Sequence, residues 1–258
     1  MPGIMTDRRI KKLSQYPTHM LCDEFCFPVR PICAPFTDEE AWAVGNWSSE
    51  NQSDHILGLP YAYPLGEDSP HVQNFKPMIE PFLPSLIRKV DDQKVISFGV
   101  SSMGYDVRLS SKELKLFTNV WGAEIDPMEI DVDKCFVTPV IRTCEKKGLK
   151  YVLIPPNSYL LGHTVEYFRI PRNCLVICLG KSTYARAAVA VNVTPIEPGF
   201  EGNVVLEIAN HSNLPARVYL DCGVSQFVFF ESEEECEVSY ADRAGKYQHQ
   251  TGLTHARV

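Results

Sequence analysis

Seven consecutive residues, Gly180, Lys181, Ser182, Thr183, Tyr184, Ala185 and Arg186, gather two cations, two hydroxyls, a phenol and a turn directly after the apolar run Leu175 to Leu179. Lys and Arg so placed can hold a phosphorylated ligand through charge-assisted hydrogen bonds, while a hydroxyl orients a reacting group. The segment is not a Walker A loop, because the upstream glycine of GxxxxGK[ST] would fall at position 175, which is Leu. On composition alone it reads equally as a polar strand-to-turn connection. Further on, Glu207 stands between Leu206 and Ile208. In a strand, Val205 and Glu207 share one face while Val204, Leu206 and Ile208 share the other. A carboxylate in such a strand must be paired or bear a desolvation cost, and the nearest cations of the hairpin are Lys181 and Arg186. A partly desolvated Glu207 beside Arg186 would suit a general base; the plain alternative is an exposed acid on the solvent face of an edge strand.

The elements that must hold these residues are short. From Val95 onward, β-branched and aromatic runs alternate with turn residues: Val95 to Val100, Tyr105 to Leu109, Leu114 to Phe117, Tyr151 to Ile154, Tyr159 to Tyr167 and Leu175 to Leu179. Ala188 to Thr194, Asn203 to Asn210, Ala216 to Leu220 and Ser225 to Glu231 continue the series. Closely spaced strands without helical runs between them predict a mainly β domain of barrel or jelly-roll type. Ahead of it, Thr6 or Asp7 can cap a short helix with Ile10 and Leu13 on one face. From Tyr16 to about Gln73 the chain is rich in Pro, acids, Ser and Asn, holds Trp42 and Trp47, and shows little periodicity beyond a short helix at Asp38 to Val44. It reads as an inserted excursion. The tail after Ser239, YADRAGKYQHQTG, lacks apolar periodicity and predicts an arm that orders on binding rather than core.

At 258 residues with 45% apolar content, the chain can build a sizeable core. Its formal charge of -7 argues against general affinity for nucleic acid or anionic membrane. The start, MPGIMTDRRIKKL, has no apolar segment behind its charges, and no run approaches the length of a membrane span, so a soluble cytoplasmic protein is expected. Nine scattered cysteines suit a reducing compartment and read mainly as apolar fillers. Cys22, Cys26 and Cys33 lack a fourth ligand or a CxxC pair for structural zinc. Zinc nucleoside deaminases need HxE and PCxxC; no histidine here is followed two residues later by Glu, and Asn173 precedes Cys174.

Taken together, GKSTYAR, VNVTPIEP, VISFGVSSMGYDVRL (Val95 to Leu109), IPPNSYLLGHTVEYFRIPRN (Ile154 to Asn173), GVSQFVFFES and GKYQHQTG resemble the dCTP deaminase family in its bacterial branch. The likeness covers nearly everything but Tyr16 to Gln73. It implies a dUTPase-like distorted β-barrel or jelly roll (β-clip) with a short N-terminal helix and an irregular insertion. The expected organisation is a helix within 1–19, an insertion over 20–77, the β domain over 78–238 and a closing arm over 239–258. By the same resemblance Glu207 is the catalytic acid/base, Ser182 positions the attacking water and Arg186 contacts the glutamate. Lys181, Ser182, Thr183, Tyr184, Ala185, Arg186, Val205, Leu206, Glu207, Gln226, Tyr240 and Gln250 then bind nucleotide, with Lys246 a phosphate partner. The resemblance further implies a homotrimer with shared sites, Mg²⁺ carried by the triphosphate with no zinc, dCTP as substrate, dUTP as product and dTTP as a feedback ligand. A dUTPase, a bifunctional enzyme releasing dUMP and a silent nucleotide-sensing module remain alternatives. Two departures stand out. Pro195 runs directly into Ile196, so the Arg of the family's longer hairpin has no counterpart, and Glu197 either holds the sugar 3′-hydroxyl or braces the turn. Ala187 and Ala188 follow Arg186 where close relatives have a small residue and then Gly.

Overall fold

The computed structural model describes residues 3–15, 20–21, 62–63, 76–117 and 125–256. The chain divides into two compact units, one of residues 16–75 and one of residues 1–15 with 76–258. Of the first unit, the described part is the antiparallel pair Met20–Leu21 and Ala62–Tyr63. The helix expected at Asp38 to Val44, the two tryptophans and Cys22, Cys26 and Cys33 lie outside the described residues.

The main unit is built of antiparallel sheets that do not close into a barrel. One six-stranded sheet runs in the order Gly3–Ile4, Gly223–Glu231, Gly104–Arg108, Gln93–Ser101, Ile87–Val90, with Cys174–Gly180 also paired to Gly223–Glu231. The other runs Val189–Asn192, Glu201–Asn210, Tyr159–Arg169, Lys115–Phe117, Phe136–Val137, with Ile79–Glu80 also on Tyr159–Arg169. Arg142–Thr143, Lys150–Ile154 and Ala216–Tyr219 form a third. All ten strands expected from the sequence are present, their ends displaced by no more than two residues. The two-residue strands Gly3–Ile4, Ile79–Glu80, Phe136–Val137 and Arg142–Thr143 were not expected, since so short a segment has no period of its own and is a strand only by pairing.

The alternation in Glu201–Asn210 explains its place. Gly202, Val204, Leu206, Ile208 and Asn210 are buried while the odd positions are half-buried. Leu206 and Ile208 therefore enter the core with Leu160, Phe168, Phe227 and Phe229. The rings of Phe168 and Phe227 meet at 5.1 Å and join the two large sheets. An ion pair makes the same connection: Arg108 donates to Glu166 through its backbone N–H at 3.0 Å and Nε at 2.7 Å. Glu166 is fully buried. Burial pushes its carboxyl up, against the pull of the Arg108 guanidinium. Asn210 ties in the third sheet, its Nδ2 donating to the carbonyls of Ile154, Pro155 and Leu214.

The first helix, Asp7–Ser14, buries Ile10 and lays Leu13 against the core. Thr6 occupies its N-cap position without a side-chain cap hydrogen bond, so the expected capping role falls away. Arg9 instead ties the helix to the sheet through Glu231, 2.6 Å away. The tail also differs from expectation. Asn203 N–H donates to the Gln250 carbonyl at 2.9 Å, Gly252 N–H to Asn203 Oδ1 at 3.1 Å and Leu253 N–H to Glu113 Oε2 at 2.8 Å. It lies docked on its own chain because backbone groups, not apolar periodicity, hold it. Gly202 makes that approach possible: at φ +153 its missing Cβ would lie 3.0 Å from the Gln250 carbonyl oxygen.

Candidate active site

Register places a row of side chains across the second large sheet. Asn192 faces Glu207, Glu207 faces Leu161, and Leu161 faces Lys115. Partners in register project from the same face, so these four form one stripe, with Val205 and His163 paired in the neighbouring row. Tyr159, two residues from Leu161 and on its face, packs edge-on against Phe117 at 5.2 Å. Glu207 is thus a half-buried carboxylate on a surface of aliphatic and aromatic groups.

Asn192 Nδ2 donates to Glu207 Oε2 at 2.8 Å. Burial raises the Glu207 pKa above the ordinary carboxylate range, and the Asn192 hydrogen bond only partly offsets this. Its neighbours respond in turn. The Tyr159 hydroxyl is pushed up by burial and then by the Glu207 charge. Burial pushes the Cys178 thiol up to about 11, with Ser225 opposing and Glu207 adding to the rise. A carboxyl whose pKa is raised by burial holds its proton more tightly than an exposed one, which suits it to take and return a proton.

The GKSTYAR segment lies at the end of Cys174–Gly180 and makes a single helical turn, Ser182–Ala185, which the sequence reading had not resolved. Ser182, Thr183, Ala185 and Arg186 are exposed. Arg186 does not meet Glu207 within the chain; its Nη1 donates to the Ser182 carbonyl at 3.2 Å, one turn back in its own helix. Tyr184 is 4% exposed, and its hydroxyl accepts the Tyr219 N–H at 2.9 Å, so its side chain belongs to the core rather than to a ligand. Leu206 is likewise core, leaving only its backbone to a ligand. Lys181 is committed to Asp106, an ion pair in which both side chains are largely buried. Burial still holds the Asp106 carboxyl above its usual value, Lys181 working against it. Gln226, in register with Asp106, donates to Ser101 Oγ at 2.9 Å.

The remaining expected residues gather at the start of Glu201–Asn210. Glu197 pairs with Arg243, which favours its bracing role. Tyr240 packs on Phe200 at 5.8 Å and its hydroxyl accepts the Tyr247 N–H at 3.1 Å. Lys246 sits 5.6 Å from the Tyr247 ring centre. Gln250 Nε2 donates to the Asn203 carbonyl at 2.5 Å. One chain therefore brings Val205 and Glu207 together and sets the Lys181–Arg186 turn and the tail residues among other partners. Sequence reasoning missed Asn192, Tyr159, Leu161 and Lys115; Asn192 stood inside VNVTP, but its register with Glu207 depends on the hairpin turn.

The described chain is a mainly β scaffold that carries a partly desolvated carboxylate, Glu207, on an open sheet face and an exposed hydroxyl- and cation-bearing turn at Ser182–Arg186. Residues 79–232 match the family described as dCTP deaminase-like. A dCTP deaminase of Laribacter hongkongensis is 56% identical over 177 residues, covering 69% of this chain and 89% of that one. Another, from Alcanivorax borkumensis, is 55% identical over 184 residues, covering 71% and 92%. A crystal structure of 2'-deoxycytidine 5'-triphosphate deaminase from Agrobacterium tumefaciens aligns at a TM-score of 0.37 and 19% identity, covering 57% of this chain and 44% of that chain. The chain belongs to the dCTP deaminase-like family.

Proposed function

We propose that this protein hydrolyses dCTP to dUTP and ammonia, with Glu207 as general acid and base. The observation that carries the reading is Glu207 itself, half-buried, raised in pKa and held by Asn192 on an open face. Its carboxylate takes a proton from water as the hydroxide adds at C4 of cytosine. The same group delivers that proton to N3, then takes the proton of the hydroxyl added at C4 and passes it to the amine as the C4–N bond breaks and the C4 carbonyl forms, so one water is consumed and one ammonia released. General acid–base action supplies about 10²–10⁴-fold. Orientation and fixed dipoles around the tetrahedral centre supply the rest, with the Ser182 hydroxyl as the water-positioning group.

The site is completed by a second copy in a homotrimer. Ser182 and Arg186 are exposed and unspent on Glu207 in their own chain, which supports their serving a neighbour's carboxylate. An apolar row also crosses three strands of the first sheet: Ile4 and Leu175 both lie in register with Phe230, and these three are 45%, 36% and 38% exposed. Such a stripe suits burial against another copy. Among the described residues no three His, Cys, Asp or Glu are gathered as metal ligands, and Mg²⁺ is taken to arrive on the triphosphate as part of the substrate. dTTP, a pyrimidine triphosphate of the same shape, is the expected feedback ligand of this site, and the cytoplasm its compartment. No helix among the described residues is long and apolar enough to cross a membrane.

The test is an assay of the purified protein with Mg²⁺ and dCTP, with dCMP and dUTP in parallel, following ammonia and separating nucleotides, repeated with Glu207→Gln. Ammonia and dUTP from dCTP, lost by about 10²-fold or more in the variant, are expected. Product dUMP would instead make the enzyme bifunctional, and pyrophosphate from dUTP without ammonia would make it a dUTPase.

A further inference from the structure

Asn192 and Glu207 are register partners on adjacent antiparallel strands, and the 2.8 Å contact between Nδ2 and Oε2 is the hydrogen bond that the Glu207 carboxylate makes among the described residues. The carboxamide must present its NH₂ to an ionised carboxylate, because its oxygen there would face another acceptor. Asn192 is itself exposed and the strand Val189–Asn192 ends on it. Nothing in core packing calls for an amide at this position.

We propose that Asn192 is the positioning residue of Glu207, fixing one carboxylate oxygen so that the other faces the reaction. The inference rests on the reading of Glu207 as acid and base. A carboxyl group that is ionised before water attack and protonated after it presents first two acceptors, then an acceptor and a donor. An amide that turns over by half a rotation serves both forms, donating through Nδ2 to the carboxylate and accepting through Oδ1 from the acid. An aliphatic side chain at position 192 can do neither, and an ionised aspartate there cannot donate to the carboxylate.

The groups that face Glu207 from the surrounding strands are Tyr159 and Leu161 from Tyr159–Arg169, Val205 on its own strand, and Cys178 from Cys174–Gly180, with Lys115 beyond Leu161. Tyr159 and Cys178 are both pushed above their ordinary values, which keeps them protonated through the neutral range, and the His163 imidazole, paired with Val205 in the neighbouring row, is a further titratable group on this face.

The experiment is a set of pH–rate profiles for dCTP deamination by the parent, Asn192→Leu, Asn192→Asp, Asn192→Gln and Glu207→Gln, each with its melting temperature. The Leu and Asp variants are expected to lose about tenfold or more in kcat with KM little changed, the scale of a hydrogen bond to a charged group. The acid limb of kcat/KM should move to higher pH in both, and further in Asn192→Asp, which adds a like charge. Asn192→Gln, which restores an amide, should recover part of kcat, and melting temperatures taken at acid pH, where Glu207 is protonated, should stay near the parent value. Parent-like kcat with an unmoved acid limb in both variants would overturn the proposal, as would a loss uniform across pH that tracks a lowered melting temperature. If those variants are parent-like while Glu207→Gln is inactive, the positioning role alone falls. Full turnover by Glu207→Gln would remove the acid–base reading and this inference with it.

Discussion

Glu207 is placed where ionisation is costly, and that cost has a sign. Burial raises its pKa in the folded chain above the unfolded value. The folded state therefore binds the proton more tightly, so the stability it contributes is present below the unfolded pKa and lost as pH rises through the folded one. Glu207→Gln should accordingly melt higher than the parent at neutral pH, with the difference vanishing in acid; calorimetry at the two pH values checks it. Equal melting curves at both would mean that the carboxylate is not strained. On the proposed mechanism activity runs the other way, because the base form of Glu207 is depleted as pH falls. At this scale the sequence was only half legible. Glu207 could be singled out by its apolar neighbours, but Lys181 and Arg186, the nearest cations of the hairpin, go to Asp106 and to the Ser182 carbonyl. Asp106 lies far from Lys181 along the chain, and no local pattern joins them. Asn192, the group that does reach Glu207, is neutral and gave no charge signal.

At the scale of elements, period-two alternation and turn residues placed the principal strands, since those properties belong to each segment alone. Pairing partners, the open sheets and the docked tail belong to pairs of segments and needed the structure. The buried Arg108–Glu166 pair is such a feature, binding Gly104–Arg108 to Tyr159–Arg169. Removing one partner leaves the other charge uncompensated where Glu166 is fully buried. Glu166→Leu is expected to destabilise the chain by about 3–5 kcal/mol, and Arg108→Met with Glu166→Leu to recover most of that loss, because two apolar groups need no solvation. Denaturant titration of the single and double variants decides it. A double variant no better than the single would mean that hydrogen-bond geometry, not charge compensation, is what the pair supplies.

For the whole molecule, the apolar row Ile4, Phe230 and Leu175 gives the assembly prediction. Leu175→Lys with Phe230→Glu should reduce the mass measured by light scattering to that of a smaller species, with the circular dichroism spectrum kept and deamination lost. An unchanged mass would place the contact between copies elsewhere. Composition and charge bounded the molecule from the start, but the separate unit of residues 16–75 was visible only as a change of composition. The cysteines carry a last consequence. Burial pushes the thiols of Cys174 to about 12 and of Cys178 and Cys222 to about 11, so each stays protonated in the neutral range. Thiolate is the form that peroxides and electrophiles attack. The carboxyl proposed to move protons thus stands beside a sulfur held in its less reactive thiol form.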